Sequence, residues 1–225
     1  MNKQVMQASD SEPFFPMSNV QTVTLGMGCF WSPESLFGHL PGVIRTRTGY
    51  AGGTSMNPAY RQMGNHTETV QLDFSPGIIT FDEILEVFWN NHNPVNINNY
   101  KGRQYLSLLF YSDDKQRETI QHVLRRRKEQ GRGEPETEIA PYSGFHLAED
   151  KHQKYYLKRF PNAIEKLNEW FPSQDDLNNS TLVARLNGLA KGYTNLERIL
   201  NEMGQWPIRS EHQKLIIDLV KQIRW

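Results

Sequence analysis

The chain has 225 residues, with 25 Lys and Arg balanced by 25 Asp and Glu, so its formal net charge at pH 7 is zero. This balance argues against a nucleic-acid-binding protein, because such proteins usually carry a basic excess. A hydrophobic fraction of 37%, before glycine is counted, is typical of a folded protein rather than a disordered one. The single cysteine excludes an intramolecular disulfide, a redox pair of cysteines and a metal site built from several thiolates.

The N-terminal segment predicts no membrane or export function. Residues 1–19 are polar, contain two prolines and show no periodicity, so we expect a loose N-terminal arm. This segment has no apolar core of the kind found in a secretory signal, which makes a cytoplasmic protein the default expectation. No stretch approaches the roughly 18 consecutive apolar residues of a membrane span, so we expect no membrane partner.

Four segments of the first half have the patterns of β-strands. Three alternate or are rich in β-branched residues, and the fourth is a continuous apolar run typical of a buried strand. The predicted strands cover residues 20–25, 43–50, 67–74 and 105–111. In the third strand, Glu68 falls on the same face as Val70, Leu72 and Phe74, because side chains alternate along a strand.

Helix patterns begin after residues that are suited to capping. Ser32 is a good N-cap, Pro33 suits the first helical position and Glu34 adds favourable charge, so a helix is predicted near residues 32–39. Thr80 is likewise predicted to cap a strongly apolar helix. The remaining predicted helices cover residues 81–91, 113–129, 149–160, 180–190, 193–203 and 211–224, with a short strand over residues 137–139.

The chain divides near its last quarter. Pro172 and the polar stretch 173–179 are interpreted as a linker. Strands and helices interleave before the linker, and only helices follow it. The sequence therefore predicts an α+β or α/β domain over residues 20–172 and a helical extension over residues 173–225.

Cys29 lies between the first predicted strand and the first predicted helix. A lone cysteine is usually a small buried apolar residue, but the unpaired N–H groups and macrodipole of a helix N-terminus favour an anion. We expect this position to lower the pKa of Cys29 and to make its thiolate a usable nucleophile. Gly26 and Gly28 leave room for a substrate, while Phe30 and Trp31 either pack in the core or form an apolar substrate wall.

The segment Gly26-Met27-Gly28-Cys29-Phe30-Trp31, followed by Glu34, resembles the signature of the A-type peptide methionine sulfoxide reductases. Further segments resemble the same family, in order and at suitable spacing, over roughly residues 20–172. They are Leu40-Pro41-Gly42-Val43, Gly49-Tyr50-Ala51-Gly52-Gly53, Asn57-Pro58-x-Tyr60, His66-Thr67-Glu68, Phe88-Trp89-x-Asn91-His92-Asn93-Pro94, Gly102-Arg103-Gln104-Tyr105-x-Ser107 and Ala148-Glu149-Asp150-x-His152-Gln153-x-Tyr155. The resemblance implies an α+β fold, with a ferredoxin-like αβ sandwich as its core.

The resemblance also implies a reaction. A thiolate attacks the sulfur of methionine-S-sulfoxide, methionine is released and a sulfenic acid remains on the enzyme, ready to condense with a second thiol. A carboxylic acid kept neutral by burial would protonate the departing oxygen, and two tyrosines would help to bind or protonate it. The implied catalytic residues are Cys29, Glu68, Tyr60 and Tyr105, and the implied substrate-binding residues are Gly28, Phe30 and Trp31.

The chain departs from the family pattern at three points. Tyr100 stands where an Asp is common, Asn93 replaces a more usual Asp, and no second cysteine follows Cys29. The first two changes bear on substrate positioning. The third requires an external thiol reductant, namely thioredoxin, glutaredoxin with glutathione, or dithiothreitol.

The expected partners are proteins or peptides that contain methionine sulfoxide, and a thiol reductant protein. We expect no bound cofactor and no metal, since the seven histidines show no ligand spacing. An alternative of another class is a weakened or inactive relative that binds oxidised-methionine segments or protein partners. A generic thiol peroxidase fits less well, because no arginine neighbours Cys29 in the sequence.

Overall fold

The computed structural model describes residues 19–171 and 173–225, in which a six-stranded sheet carries the fold. Its strands are β1 (Gln21–Met27), β2 (Val43–Ala51), β3 (Thr67–Phe74), β4 (Ser107–Tyr111), β5 (Glu138–Pro141) and β6 (Phe145–Leu147). They lie in the order β5-β4-β1-β3-β2-β6 and pair antiparallel, except for the parallel pair β4 and β5. The predicted N-terminal arm lies outside the described residues, apart from its last residue.

Eight α-helices occur in the described residues. They are α1 (Trp31–Gly38), α2 (Phe81–Asn90), α3 (Asp114–Glu129), α4 (Pro161–Asn168), α5 (Gln174–Asn179), α6 (Thr181–Lys191), α7 (Leu196–Met203) and α8 (Ser210–Lys221). Short 3₁₀ helices cover Arg103–Tyr105, Asp150–His152 and Leu157–Arg159. The order β1-α1-β2-β3-α2-β4, with strands arranged β4-β1-β3-β2, confirms the predicted ferredoxin-like α+β core.

The main apolar core lies between the sheet and helices α1, α2 and α3. Val23 and Leu72 point from the sheet into this core, where they join Phe37 of α1, Phe88 of α2 and Val123 of α3. All five are at most 1% exposed. Burial of each such side chain stabilises the fold by roughly 1.5–3 kcal/mol, so the alternation seen in the sequence fixes which strand face meets the helices.

The helices after β6 form a second apolar cluster and also pack on α1. The buried members of this cluster include Leu157, Leu167, Leu177, Leu182, Leu186, Ile199, Met203, Trp206, Ile216 and Val220. At the contact between α1 and α6, a Cβ atom on Gly38 would lie only 2.9 Å from the backbone oxygen of Ala184. Buried Arg185 donates to the Gly38 backbone oxygen at 2.7 Å. The predicted C-terminal helices are confirmed, and they cover the helix that follows Cys29.

Several predicted elements agree closely with the structure. The strand predicted over residues 67–74 has the observed bounds of β3. Thr80 caps α2 through a reciprocal pair of hydrogen bonds with Glu83, at 3.2 Å and 2.8 Å. No helix within residues 19–171 and 173–225 is both long enough and apolar enough to cross a membrane.

The predicted helix over residues 149–160 is wrong. This segment contains two 3₁₀ turns, and Lys154 between them has a φ of +52°, which an α-helix cannot accommodate. The Gln153 side chain bonds the backbone N–H and oxygen of Thr48, both at 2.9 Å. Contacts with residues more than 100 positions away therefore override the local helical pattern.

The other corrections concern short elements. The stretch interpreted as a linker contains α5, which Ser173 caps and which buries Leu177 completely, while Pro172 lies outside the described residues. The strand predicted over residues 105–111 begins at Ser107, because the preceding residues form a 3₁₀ helix. Helix α4 and edge strand β6 were not predicted.

Candidate active site

Cys29 occupies the turn between β1 and α1, where the sequence predicts it. Gly28 before it has a φ of +78°, a left-handed conformation that favours glycine. A Cβ atom at Gly28 would lie 2.6 Å from the side chain of Ile97. Backbone conformation and packing account for this glycine, and its predicted contact with substrate stays a prediction.

The Cys29 thiol is partly buried and receives a hydrogen bond from the backbone N–H of Trp31. Burial raises the pKa of Cys29 to about 11, the Trp31 hydrogen bond opposes the rise, and the charge of Glu68 adds to it. The predicted lowering of this pKa at the helix N-terminus is therefore wrong. Burial away from water destabilises the Cys29 thiolate by more than the single backbone hydrogen bond stabilises it.

Glu68 lies near the start of β3 and is 1% exposed. Strand alternation places its side chain on the face that carries Val70 and Leu72 into the core. Its carboxyl oxygens accept hydrogen bonds from the Phe30 backbone N–H at 3.1 Å and from Gln104 Nε2 at 2.6 Å. Burial raises the pKa of Glu68, although both hydrogen bonds act to lower it. The expected burial and raised pKa of this carboxyl are confirmed.

The N-terminus of α1 is held by Glu68 rather than by a local cap. The helix begins at Trp31, its N-cap residue is Phe30, and no side chain caps it locally. The prediction that Ser32 is the N-cap is wrong. The Phe30 N–H binds Glu68, while the Ser32 hydroxyl lies 2.9 Å from the hydroxyl of Tyr156. A contact from β3 thus takes the place of the capping hydrogen bond expected within the helix.

Tyr60 lies in the segment between β2 and β3, Tyr105 ends the 3₁₀ helix before β4, and the two meet beside Glu68. Their hydroxyl groups are hydrogen-bonded to each other, and each interacts electrostatically with both Glu68 and Cys29. Burial and then the Glu68 charge raise the pKa of Tyr105 to about 12, and the same two causes raise the pKa of Tyr60. Both hydroxyls therefore keep their protons at neutral pH. The four residues predicted to be catalytic lie around one site.

Glu149 holds the loop that carries Tyr60. It accepts hydrogen bonds from the Tyr60 backbone N–H at 3.1 Å and from the Tyr50 hydroxyl at 2.7 Å. Burial acts to raise the pKa of Glu149, but the Tyr50 hydroxyl and the backbone N–H groups outweigh it and bring the pKa to about 2. Glu149 is consequently a stable anion that anchors the loop.

Phe30 and Trp31 have different surroundings. Phe30 is 1% exposed and packs against Tyr50 and His152, with ring centroids 6.0 Å and 5.4 Å away, so the core interpretation describes it better. Trp31 lines the groove beside Cys29, stacks on Tyr155 with centroids 3.7 Å apart, and donates from Nε1 to His152 Nδ1 at 3.3 Å. Trp31 is therefore accessible from the groove, whereas Phe30 packs behind it, and the predicted contact of either residue with substrate stays a prediction.

An open groove with a volume of about 420 Å³ runs beside Cys29. The segment after α2 contributes Asn93 and Tyr100, the two residues that depart from the family pattern, and Tyr100 stacks on Tyr105 at 4.6 Å. The C-terminal helices contribute Lys191. Among the described residues, no group of three or more His, Cys, Asp or Glu is arranged to hold a metal ion.

Sequence reasoning missed several residues of the site. Gln104 and His152 were part of the resembling segments, but nothing in the sequence assigned them the contacts with Glu68 and Trp31. Nothing in the sequence indicated that Lys191 would lie in the groove, because only the packing of α6 on α1 brings it there.

Comparison with known proteins gives a consistent result. The family described as peptide methionine sulfoxide reductase matches residues 21–180. The peptide methionine sulfoxide reductase of Drosophila melanogaster is 41% identical over 197 residues, which cover 85% of this chain and 78% of the relative. The peptide methionine sulfoxide reductase MsrA of Methanococcus maripaludis strain C7 is 41% identical over 150 residues, covering 64% of this chain and 96% of the relative.

Two solved structures share the fold. Methionine sulfoxide reductase A of Corynebacterium diphtheriae aligns with a TM-score of 0.55 and 28% identity, over 71% of this chain and 92% of that one. Mxr1 from Saccharomyces cerevisiae in reduced form aligns with a TM-score of 0.57 and 25% identity, over 65% of this chain and 89% of that one. The alignment with the Drosophila protein covers 85% of this chain, which is more than 180 residues. The similarity therefore extends past residue 180, where the family match ends, into the C-terminal helices.

Proposed function

The chain belongs to the peptide methionine sulfoxide reductase family and is an oxidoreductase, and from this premise we propose how its residues reduce the S epimer of methionine sulfoxide. Cys29 is the nucleophile, Glu68 transfers the proton, and the hydroxyls of Tyr60 and Tyr105 bind the sulfoxide oxygen. One observation carries this proposal: a thiol, a buried carboxyl of raised pKa and two protonated tyrosines surround a single site.

The resting protonation states supply the proton that the reaction needs. With a pKa of about 11, the Cys29 sulfur holds its proton at neutral pH. We propose that Glu68 is ionised before the reaction and accepts this proton, so that it becomes the neutral acid implied by the family resemblance only after the transfer. Transfer of this proton creates a thiolate and a neutral carboxylic acid together. Transfer also removes the Glu68 charge, which itself raises the pKa of Cys29. Each product of the transfer therefore favours the other.

The chemical step then balances without a further proton donor. The thiolate attacks the sulfoxide sulfur and forms a bond between the two sulfurs, and Glu68 passes its proton to the sulfoxide oxygen, which leaves the methionine sulfur as hydroxide. This hydroxide attacks the Cys29 sulfur, and the bond between the two sulfurs breaks with its electron pair on the methionine sulfur. Cys29 is left as a sulfenic acid, and the substrate leaves as methionine. Two electrons have passed from the cysteine sulfur to the substrate sulfur.

Recycling follows from the cysteine count. Cys29 is the only cysteine in the chain, so no internal thiol can condense with its sulfenic acid. A first external thiol forms a mixed disulfide and releases water, and a second thiol restores Cys29. Glutathione with glutaredoxin suits this route, and thioredoxin can also serve because its own second thiol resolves the mixed disulfide. Dithiothreitol should replace either in an assay.

We also propose a division of the chain into a catalytic domain, residues 20–172, and a helical extension, residues 173–225. The family match runs to residue 180, eight residues past this boundary, so it includes α5 and ends just before α6. The extension contributes packing rather than any of the four catalytic side chains.

A single-turnover experiment tests the function. The protein is mixed with excess peptide methionine-S-sulfoxide and no reductant, and released methionine-containing peptide is counted together with the mass of the protein. We expect one reduced peptide per chain and one added oxygen on Cys29, with the R epimer unchanged. The Cys29→Ser variant should release none.

Three outcomes would contradict the proposal. Release of two reduced peptides per chain would mean that another group supplies electrons. An oxygen adduct on a residue other than Cys29 would identify a different nucleophile. Binding of the peptide with no reduction would favour the alternative of an inactive relative that binds oxidised-methionine segments.

A further inference from the structure

The groove beside Cys29 has an uneven charge. Among its lining residues in the described part of the chain, Lys191 is the only lysine or arginine, and no Asp or Glu lines it. His92 also lines the groove, but burial lowers the pKa of His92, so it is neutral at pH 7. The groove therefore presents a single positive charge to whatever enters it.

Lys191 is held near the nucleophile by the packing of α6. Asn187, one turn earlier in the helix, donates to the hydroxyl of Ser35 in α1 at 2.9 Å. The Lys191 ammonium lies 4.5 Å from the ring centre of Tyr156, a distance that allows a cation–π contact. The Tyr156 hydroxyl in turn lies 2.9 Å from that of Ser32, three residues after Cys29.

The Lys191 charge has no carboxylate partner in the part of the chain that the structure describes. No carboxylate in the described ranges forms an ion pair with Lys191, although other lysines do form such pairs, as Lys154 does with Glu34. Lys191 is also exposed, so an arriving anion can reach its ammonium without displacing a protein carboxylate. Tyr193, just after α6, lines the same groove.

Neutral amides make up much of the remaining polar lining. Asn91, Asn93, Asn96 and Asn98 all border the groove. Amide side chains can both donate and accept hydrogen bonds, so they suit the backbone of an extended peptide without adding charge. The groove thus combines neutral groups suited to a peptide backbone with one fixed cation.

We propose that Lys191 is a specificity-determining residue that binds the carboxylate of an Asp or Glu next to the oxidised methionine of a peptide substrate. This inference rests on the proposed function, because the groove is taken as the path of the substrate to Cys29. Lys191 takes no part in the chemistry. Its contribution is to the binding of acidic peptides, and so to KM rather than to kcat.

The test uses three peptides that differ only beside the methionine sulfoxide, where they carry Ala, Asp or Lys. Initial rates are measured with dithiothreitol, a reductant without a carboxylate. Wild-type protein should have the lowest KM for the Asp peptide. In Lys191→Met, KM for the Asp peptide should rise about two- to five-fold, the size expected for an exposed ion pair, while kcat and the Ala-peptide KM stay unchanged.

Matched variants separate charge from packing. Lys191→Arg should keep the preference for the Asp peptide, and Lys191→Glu should reverse it in favour of the Lys peptide. Lys214→Met, which removes an exposed lysine of α8 that does not line the groove, should behave as wild type. Raising the salt concentration should weaken the wild-type preference, because exposed charge pairs are screened.

Two results would overturn the inference. One is an equal KM for the Asp and Ala peptides in wild-type protein and in Lys191→Met. The other comes from parallel assays of both proteins with glutathione in place of dithiothreitol: a change confined to the KM for glutathione would assign the carboxylate to the reductant. In both cases turnover of the Ala peptide persists, whereas failure of the proposed function would leave no turnover of any peptide.

Discussion

Burial raises the pKa of both Cys29 and Glu68, so each of these groups favours its neutral form. The carboxyl starts from a much lower pKa and loses its proton first as the pH rises. Between the two pKa values the pair carries one proton, which rests on the sulfur. The proposed chemistry requires this proton to move to Glu68 and then to the substrate oxygen, so a buried thiol of high pKa can serve as both nucleophile and proton source.

The first prediction concerns Glu68 as the proton carrier. Glu68→Gln should lower kcat by about 10²–10⁴, the usual range for loss of a general acid. The amide can still accept from the Phe30 N–H, and it avoids the cost of burying a carboxylate whose pKa is raised. The melting temperature of the Glu68→Gln variant should therefore equal or exceed that of the wild type. Glu165→Gln, at an exposed position of α4, is the matched control and should leave kcat unchanged.

A Glu68→Gln rate within threefold of wild type would assign proton transfer to another group, and the nearest candidates are Tyr60 and Tyr105. Measuring kcat in Tyr60→Phe and Tyr105→Phe would then identify the donor.

The second prediction concerns pH. Activity requires one proton on the Cys29 and Glu68 pair, so kcat/KM should fall at low pH, where both groups are protonated, with a midpoint above the ordinary glutamate pKa. It should fall again toward pH about 11, where neither is protonated. In Glu68→Gln the fall due to protonation of Glu68 should disappear, and residual activity should instead rise with pH as the Cys29 thiolate forms.

The same variant gives a direct measure of the thiol. Removal of the Glu68 charge should lower the pKa of Cys29, so alkylation of Cys29 by iodoacetamide should begin at a lower pH in Glu68→Gln than in wild type. An alkylation profile that is unmoved, or that moves to higher pH, would contradict the electrostatic coupling of the pair.

At the scale of elements, α1 is held in place by a buried ion pair. Glu34 of α1 and Lys154 are both inaccessible to solvent, and their charged atoms lie 2.7 Å apart. Glu34 also accepts from the Lys154 backbone N–H at 2.8 Å, and the Lys154 ammonium donates to the Thr46 oxygen at 2.7 Å. This network ties α1, β2 and the irregular segment after β6 together, so it sets the direction of the helix that Cys29 precedes.

The third prediction follows from this ion pair. Lys154→Met should lower the free energy of unfolding by about 3–5 kcal/mol, because it leaves the Glu34 carboxylate buried without its partner. Chemical denaturation measures this loss. Lys151→Met, at an exposed position of the same segment, should change the value by less than about 0.5 kcal/mol. Equal stability of the two variants would show that Glu34 is neutral or hydrated in the folded protein.

Over the whole molecule, the C-terminal helices complete the fold around the helix that follows Cys29. Leu182 and Leu186 of α6 are at most 1% exposed, and Thr181 donates to the Ile44 backbone oxygen at 2.6 Å. Arg185 is entirely buried between the Gly38 oxygen and Glu202. Removal of the extension would expose this apolar surface and leave buried polar groups without partners.

The fourth prediction is that a chain ending at residue 171 will be much less stable than the full chain. Its thermal melting temperature should fall sharply or its soluble yield should be lost, and any activity should decline in step with the folded fraction. A truncated chain that melts as the full chain does yet has no turnover would instead give the extension a direct part in the chemistry.

Features that depend on local order or on composition were predictable from the sequence. Alternation over residues 67–74 predicted β3 and the face on which Glu68 lies, and Thr80 marked the start of α2. The position of Cys29 between a strand and a helix was predicted correctly as well. The single cysteine implied an external reductant, because that inference needs only a count.

Only the tertiary structure decided features that depend on water exclusion and on contacts between distant residues. Burial reversed the expected pKa shift of Cys29, and Glu68 replaced Ser32 at the start of α1. Lys154 is not helical, although the local sequence favours a helix, because it forms a buried ion pair with Glu34, 120 positions earlier in the chain. Lys191 reached the groove through the packing of α6 on α1. A sequence pattern reports which side chains share a face, but the loss of solvent around a group and the identity of its distant partner exist only once the chain has folded.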